Sequence, residues 1–94
     1  MDISDWRKKI DDVDERLVDL LNERARYVLE ISKEKKRLGL PVHEPKRELE
    51  IMENIRRRNE GPLAYEPLKR IFERVIDESR SIQRGPMEVP RKDD

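Results

Sequence analysis

The stretch from Asp5 to Leu38 runs for 34 residues without a glycine or a proline. Within it Trp6, Ile10, Val13, Leu17, Leu20, Leu21, Tyr27, Val28, Ile31 and Leu38 recur at steps of three and four, the period of one face of an α-helix. Ser4 or Asp5 is suited to cap its start, and Gly39 followed by Pro41 to end it. At ~1.5 Å per residue this helix is ~50 Å long. A compact domain of 94 residues has a radius of gyration of ~12 Å and a diameter of ~30 Å. The helix therefore overhangs any fold its own chain builds, and its apolar stripe continues along the overhang. A second copy of the chain is the simplest cover, so the sequence predicts a helical homodimer.

Two shorter helices follow. One starts at Pro45, a residue suited to a first turn, and runs to about Asn59 with Leu49, Ile51, Met52 and Ile55 inward; Asn59-Glu60-Gly61-Pro62 stops it. The other starts near Glu66-Pro67, carries Leu68, Ile71, Phe72, Val75, Ile76 and Ile82, and ends at Arg84-Gly85-Pro86. The expected fold is all-α, with three helices per chain and a very long first one. Residues 1–84 form the helical domain and residues 85–94 a disordered charged tail.

Composition narrows the function. Charged residues are 47% of the chain, a level compatible with disorder, but the apolar residues are periodic, which argues for a fold. Lysine plus arginine number 22 and aspartate plus glutamate 22, so the basic excess of a nucleic-acid or anionic-membrane binder is missing. Without cysteine and with one histidine, disulfides, thiolate metal sites and multi-histidine metal sites are excluded. No apolar run is long enough to span a membrane. The opening Met1-Asp2-Ile3-Ser4-Asp5 does not read as a signal peptide, and the expected location is the cytoplasm.

Polar residues on the inward stripes carry the most information, because burying a charge without a partner is very costly. Ile10, Leu17, Arg24, Ile31 and Leu38 form one seven-residue series, and Arg24 interrupts it. Lys35 lies eleven residues beyond Arg24, close to three full turns, and so shares its face at ~16 Å along the axis. Arg7 also lies on the stripe, but 17 residues from Arg24, or ~25 Å. If it serves the same site, it comes from the partner chain of an antiparallel pair. Ser79 and Gln83 extend the inward row of the third helix. Glu44, Glu48, Ile51 and Ile55 share a face of the second, with Arg47 adjacent, and this helix begins where the first ends, near Lys35. Arg24, Lys35, Arg47 and Arg7 as cations, with Glu44, Glu48, Ser79 and Gln83 as hydrogen-bonding groups, suit a small dicarboxylate bearing a hydroxyl.

Each residue also has a plainer reading when taken alone. Arg24 can form an interhelical salt bridge, for instance with Glu48. Lys35 in Lys33-Glu34-Lys35-Lys36-Arg37 reads as a solvated lysine, and Arg7 as a surface residue. Ser79 and Gln83 can sit at a fraying edge. Trp6 and Tyr27 read as packing residues and His43 as exposed. Arg56-Arg57-Arg58, flanked by Glu50, Glu53 and Glu60, reads as a solvated face.

The residues in question resemble the all-helical (AroQ-type) chorismate mutases. The resemblance rests on Trp6-Arg7-Lys8-Lys9-Ile10-Asp11 with Val13-Asp14; on Leu20-Leu21-Asn22-Glu23-Arg24; on Lys35 ahead of the run from Gly39 through Pro41-Val42-His43-Glu44-Pro45-Lys46-Arg47-Glu48; on Asn59-Glu60-Gly61-Pro62-Leu63; and on Ile71-Phe72 with Glu78-Ser79-Arg80-Ser81-Ile82-Gln83. It covers about residues 5–84 in order. It implies an intertwined homodimer with two active sites that converts chorismate to prephenate without cofactor or metal. It further implies that Arg7 reaches into the partner's site and grips substrate carboxylate with Arg24, with Arg47 in support. Lys35 and Gln83 would contact the ether oxygen of the breaking bond. Glu48 would bind the ring hydroxyl, helped by the backbone near Glu44, and Ser79 would help hold the ring carboxylate. Glu44 departs from the family pattern, which usually has aspartate there.

The chemistry implied is a unimolecular Claisen rearrangement, which needs neither nucleophile nor proton transfer. Catalysis then consists of holding a compact conformer and aiming donors at charge developing on the ether oxygen. Two other readings stay open on sequence: an isochorismate pyruvate-lyase on the same scaffold, and a non-enzymatic helical dimerisation module whose inward polar residues are ion pairs. A mutase domain working with a larger partner enzyme is a third.

Overall fold

The computed structural model describes residues 1–84; the tail expected over 85–94 lies outside the described residues. Three helices account for most of the chain: α1 (Ile3–Leu38), α2 (Pro45–Arg58) and α3 (Tyr65–Gln83). There is no strand among the described residues.

α1 starts earlier than its sequence suggests, capped by Asp2 rather than by Ser4 or Asp5. The Asp2 carboxylate accepts the Asp5 N–H at 3.0 Å and the Asp5 carboxylate accepts the Asp2 N–H at 3.1 Å. This reciprocal box requires a side-chain acceptor three residues into the helix. A cap at Ser4 or Asp5 would put Arg7 or Lys8 there, and neither can accept. At the other end Lys35, Lys36 and Arg37 complement the helix dipole. Gly39 turns left-handed at φ +70°, and its N–H and that of Leu40 close on the carbonyls of Lys36 and Lys35. Pro45 opens α2 as expected.

α2 and α3 form an antiparallel hairpin, with Glu48 opposite Arg80 at one end and Ile55 near Leu68 and Phe72 at the other. The C-terminal end of α3 packs on the C-terminal half of α1, joining Ser79 to Arg24 and Gln83 to Ser32 and Lys35. The backbones of α1 and α2 do not approach each other closely. α3 therefore props them apart, and the wedge between them is the cleft described below.

Ile76 is the one buried apolar side chain among the described residues. Of the expected stripe of α1, Trp6, Ile10, Val13, Leu17, Leu20, Leu21, Tyr27, Ile31 and Leu38 are exposed, while Val28 is half-buried. The radius of gyration is 16.4 Å, against ~12 Å for a compact chain of this length. Leu49, expected inward, is 73% exposed. At ~100° per residue it lies a quarter turn away from the row Glu48, Ile51, Met52 and Ile55 that faces α3. Ile71 is likewise exposed, while Leu68, Phe72, Val75 and Ile82 are half-buried.

Candidate active site

The wedge between α1, α2 and α3 is a cleft of about 220 Å³. α1 contributes Arg24, Tyr27, Val28, Ile31 and Lys35, and the turn before α2 contributes Glu44. α2 contributes Arg47, Glu48 and Ile51, and α3 contributes Ile76, Ser79, Arg80 and Gln83. The apolar members come from the inward rows, so the floor is greasy and the polar groups project over it. Four cations against two carboxylates leave the lining with a net charge of +2.

Lys35 is the most enclosed of the charges, at 7% exposure. Its ammonium donates to the Val42 carbonyl at 3.0 Å and to Gln83 Oε1 at 2.9 Å, and lies 2.6 Å from Glu44 Oε1. Those three acceptors match the three protons of the group. The Gln83 side chain is held at both ends: Oε1 accepts from Lys35, and Nε2 donates to the Ser79 carbonyl at 3.2 Å. One amide N–H remains after these bonds. Ser32, itself buried, donates to the Gln83 backbone carbonyl at 3.5 Å and pins the end of α3 to α1.

Arg24 donates to the Ser79 hydroxyl, which in turn donates to the Val75 carbonyl at 2.9 Å. Burial lowers the Arg24 pKa, and the neighbouring Arg47 guanidinium lowers it further. Both effects oppose its charge, and an arriving anion reverses the second. Arg47 pairs with Glu50 at 3.4 Å on the solvent side. Glu48 has one oxygen, Oε2, at 3.5 Å from Arg80 Nη1 and 3.6 Å from His43 Nε2.

Residues 6–84 match the family model described as chorismate mutase type II. The chain belongs to that family. Its relatives include the bifunctional chorismate mutase/prephenate dehydratase of Aquifex aeolicus, 37% identical over 87 residues, an alignment covering 88% of this chain and 24% of that protein. The chorismate mutase of Methanocaldococcus jannaschii is 29% identical, covering 92% of this chain and 88% of that one. The solved chorismate mutase (form II) of Thermus thermophilus superposes with a TM-score of 0.85 at 34% identity, covering 87% of this chain and 93% of that one. The chain thus spans about a quarter of the bifunctional relatives and nearly all of the single-function ones.

Of the eight residues singled out by sequence in this chorismate mutase family member, seven meet in the cleft: Arg24, Lys35, Glu44, Arg47, Glu48, Ser79 and Gln83. Arg7 does not; it lies exposed near the far end of α1. The salt bridge weighed between Arg24 and Glu48 is not formed, because Ser79 takes Arg24 and Arg80 takes Glu48. Lys35 is buried, against its plain reading as a solvated lysine. Tyr27, read as packing, lines the cleft while 63% exposed, with its hydroxyl 3.5 Å from Glu23. His43 and Arg56-Arg57-Arg58 are exposed, as expected, the arginines pairing with Glu53, Asn54 and Glu60. Sequence reasoning missed Ser32 and Arg80. The signal for Arg80 was the inward carboxylate of Glu48, which needed a cation; nothing marks Ser32 apart from other serines.

Proposed function

We propose that this chain catalyses the rearrangement of chorismate to prephenate, a step of aromatic amino-acid biosynthesis, as a cytoplasmic intertwined homodimer built from the helical domain 1–84. The observation that carries this reading is the buried Lys35–Gln83 pair, 2.9 Å apart, in a cleft whose net charge complements a dicarboxylate. In the reaction the ether C–O bond breaks as a C–C bond forms within one molecule, so neither proton nor nucleophile is supplied. Electron density gathers on the ether oxygen, and Lys35 with the remaining Gln83 N–H donates to it in a site of low water content. Glu44, 46% exposed, is the Lys35 ligand that gives way when substrate enters.

Arg24 grips substrate carboxylate, with Arg47 in support and Ser79 helping to hold the ring carboxylate. Glu48 accepts the ring hydroxyl, assisted by the backbone near Glu44. These clamps hold the compact conformer in which the reacting carbons meet. The exposed stripe of α1 supports the dimer, since a single chain leaves it uncovered. In that dimer Arg7, ~25 Å from Arg24 on its own helix, completes the partner's cleft.

The test is incubation of the purified chain with chorismate, and separately with isochorismate, without added cofactor, followed by product analysis. Prephenate from chorismate is expected. Salicylate and pyruvate from isochorismate, without prephenate, would reassign the chain to the lyase reaction, and no turnover by a folded dimer would leave it a dimerisation module.

A further inference from the structure

The two oxygens of the Glu48 carboxylate have different surroundings. Oε2 is shared by Arg80 at 3.5 Å and His43 at 3.6 Å, while Oε1 has no hydrogen-bond or ion-pair partner among the described residues. Arg80 is itself fixed from the other side by an ion pair to Asp77, one turn back on α3. Both Arg80 and Glu48 are largely covered, each side chain 26% exposed, so their pair is less screened than a fully solvated one. The guanidinium spans the two carboxylates through separate nitrogens, a fork no lysine ammonium reproduces.

We propose that Arg80 is a positioning residue: anchored on Asp77, it holds one oxygen of Glu48 so that the other is aimed to accept the ring hydroxyl of the substrate. This rests on the role proposed above for Glu48. Arg80 lines the cleft, but its Nη1 and Nη2 already face Glu48 and Asp77, and this role needs no contact between Arg80 and the substrate. It links the α2 wall of the cleft to the α3 wall, and its loss leaves the Glu48 carboxylate free to rotate toward solvent.

The experiment is a double-mutant cycle on chorismate turnover with Arg80→Met, Glu48→Gln and the double variant, each checked for helicity by circular dichroism. Arg80→Met is expected to lower kcat/KM about fivefold in the otherwise native chain, as for loss of a partly covered ion pair, and by less than twofold in the Glu48→Gln background. Asp77→Asn, which only loosens the anchor, is expected to lose about threefold and serves if Arg80→Met fails to fold. With a chorismate analogue lacking the ring hydroxyl, Arg80→Met and the native chain should turn over alike. Equal losses from Arg80→Met with and without Glu48, or an undiminished loss on the analogue, would mean that Arg80 grips substrate directly and would overturn this role alone. Full activity in Glu48→Gln would overturn both this role and the hydroxyl contact assigned to Glu48.

Discussion

A lysine ammonium has three protons, and in the cleft all three of those on Lys35 meet oxygens of Val42, Glu44 and Gln83. That saturation is how a charge at 7% exposure is tolerated, and it also stores the donor that the proposed reaction uses. Lys35→Ala and Gln83→Ala are each expected to lower kcat by ~10² or more, with the helical spectrum retained; steady-state kinetics beside circular dichroism checks this. Arg24 and Arg47 behave differently, because the Arg47 guanidinium disfavours the charge on Arg24. Their repulsion is constant across the neutral range. Arg47→Gln is accordingly expected to leave the ligand-free melting temperature unchanged or slightly raised while raising KM about tenfold. A lowered melting temperature would show that the pair stabilises the fold. At this scale the inward stripe makes Arg24, Lys35, Ser79 and Gln83 legible, since a polar side chain on an apolar row needs a partner. The partners themselves are not legible: Arg80 takes Glu48 and Ser79 takes Arg24, and periodicity does not rank contacts between helices.

α1 is the most legible element, because an uninterrupted amphipathic stripe ending in Gly39 admits little else. Its start is harder to read because three acidic or hydroxyl residues, Asp2, Ser4 and Asp5, compete for the cap, and the winner is decided by which has an acceptor three residues on. Asp2→Ala removes the half of the box made by its own carboxylate, leaving the Asp5 carboxylate on the residue-2 N–H, and is expected to cost about 1 kcal/mol of stability. Gly39→Ala faces open space, so its cost is the left-handed backbone alone, also about 1 kcal/mol, with Gly39→Asn losing less. Urea denaturation measures all three. The sequence reading makes α2 one face too wide, since Leu49 is apolar yet a quarter turn off the row that meets α3. Its neighbours Glu48, Ile51 and Ile55 are read correctly because they follow the three-and-four spacing.

At the scale of the molecule, helix length carries what short motifs cannot. In the proposed dimer, a helix of 36 residues in a chain with one buried apolar side chain among its described residues contributes half of a larger core. The proposed dimer gives Arg7 to the partner's cleft, since it lies about half a helix length from the Arg24 of its own. This crossing is open to a direct test. Arg7→Ala and Lys35→Ala chains are made separately, each expected to be nearly inactive, then mixed in equal amounts and allowed to exchange by dilution and reconcentration. Random pairing makes half the dimers mixed. Each mixed dimer holds one cleft with native Lys35 and native Arg7 and one with neither, so prephenate formation should return to about a quarter of the native rate. If exchanged mixtures, shown by native mass spectrometry to contain both chains, stay at the activity of their parents, the cleft is not completed across subunits.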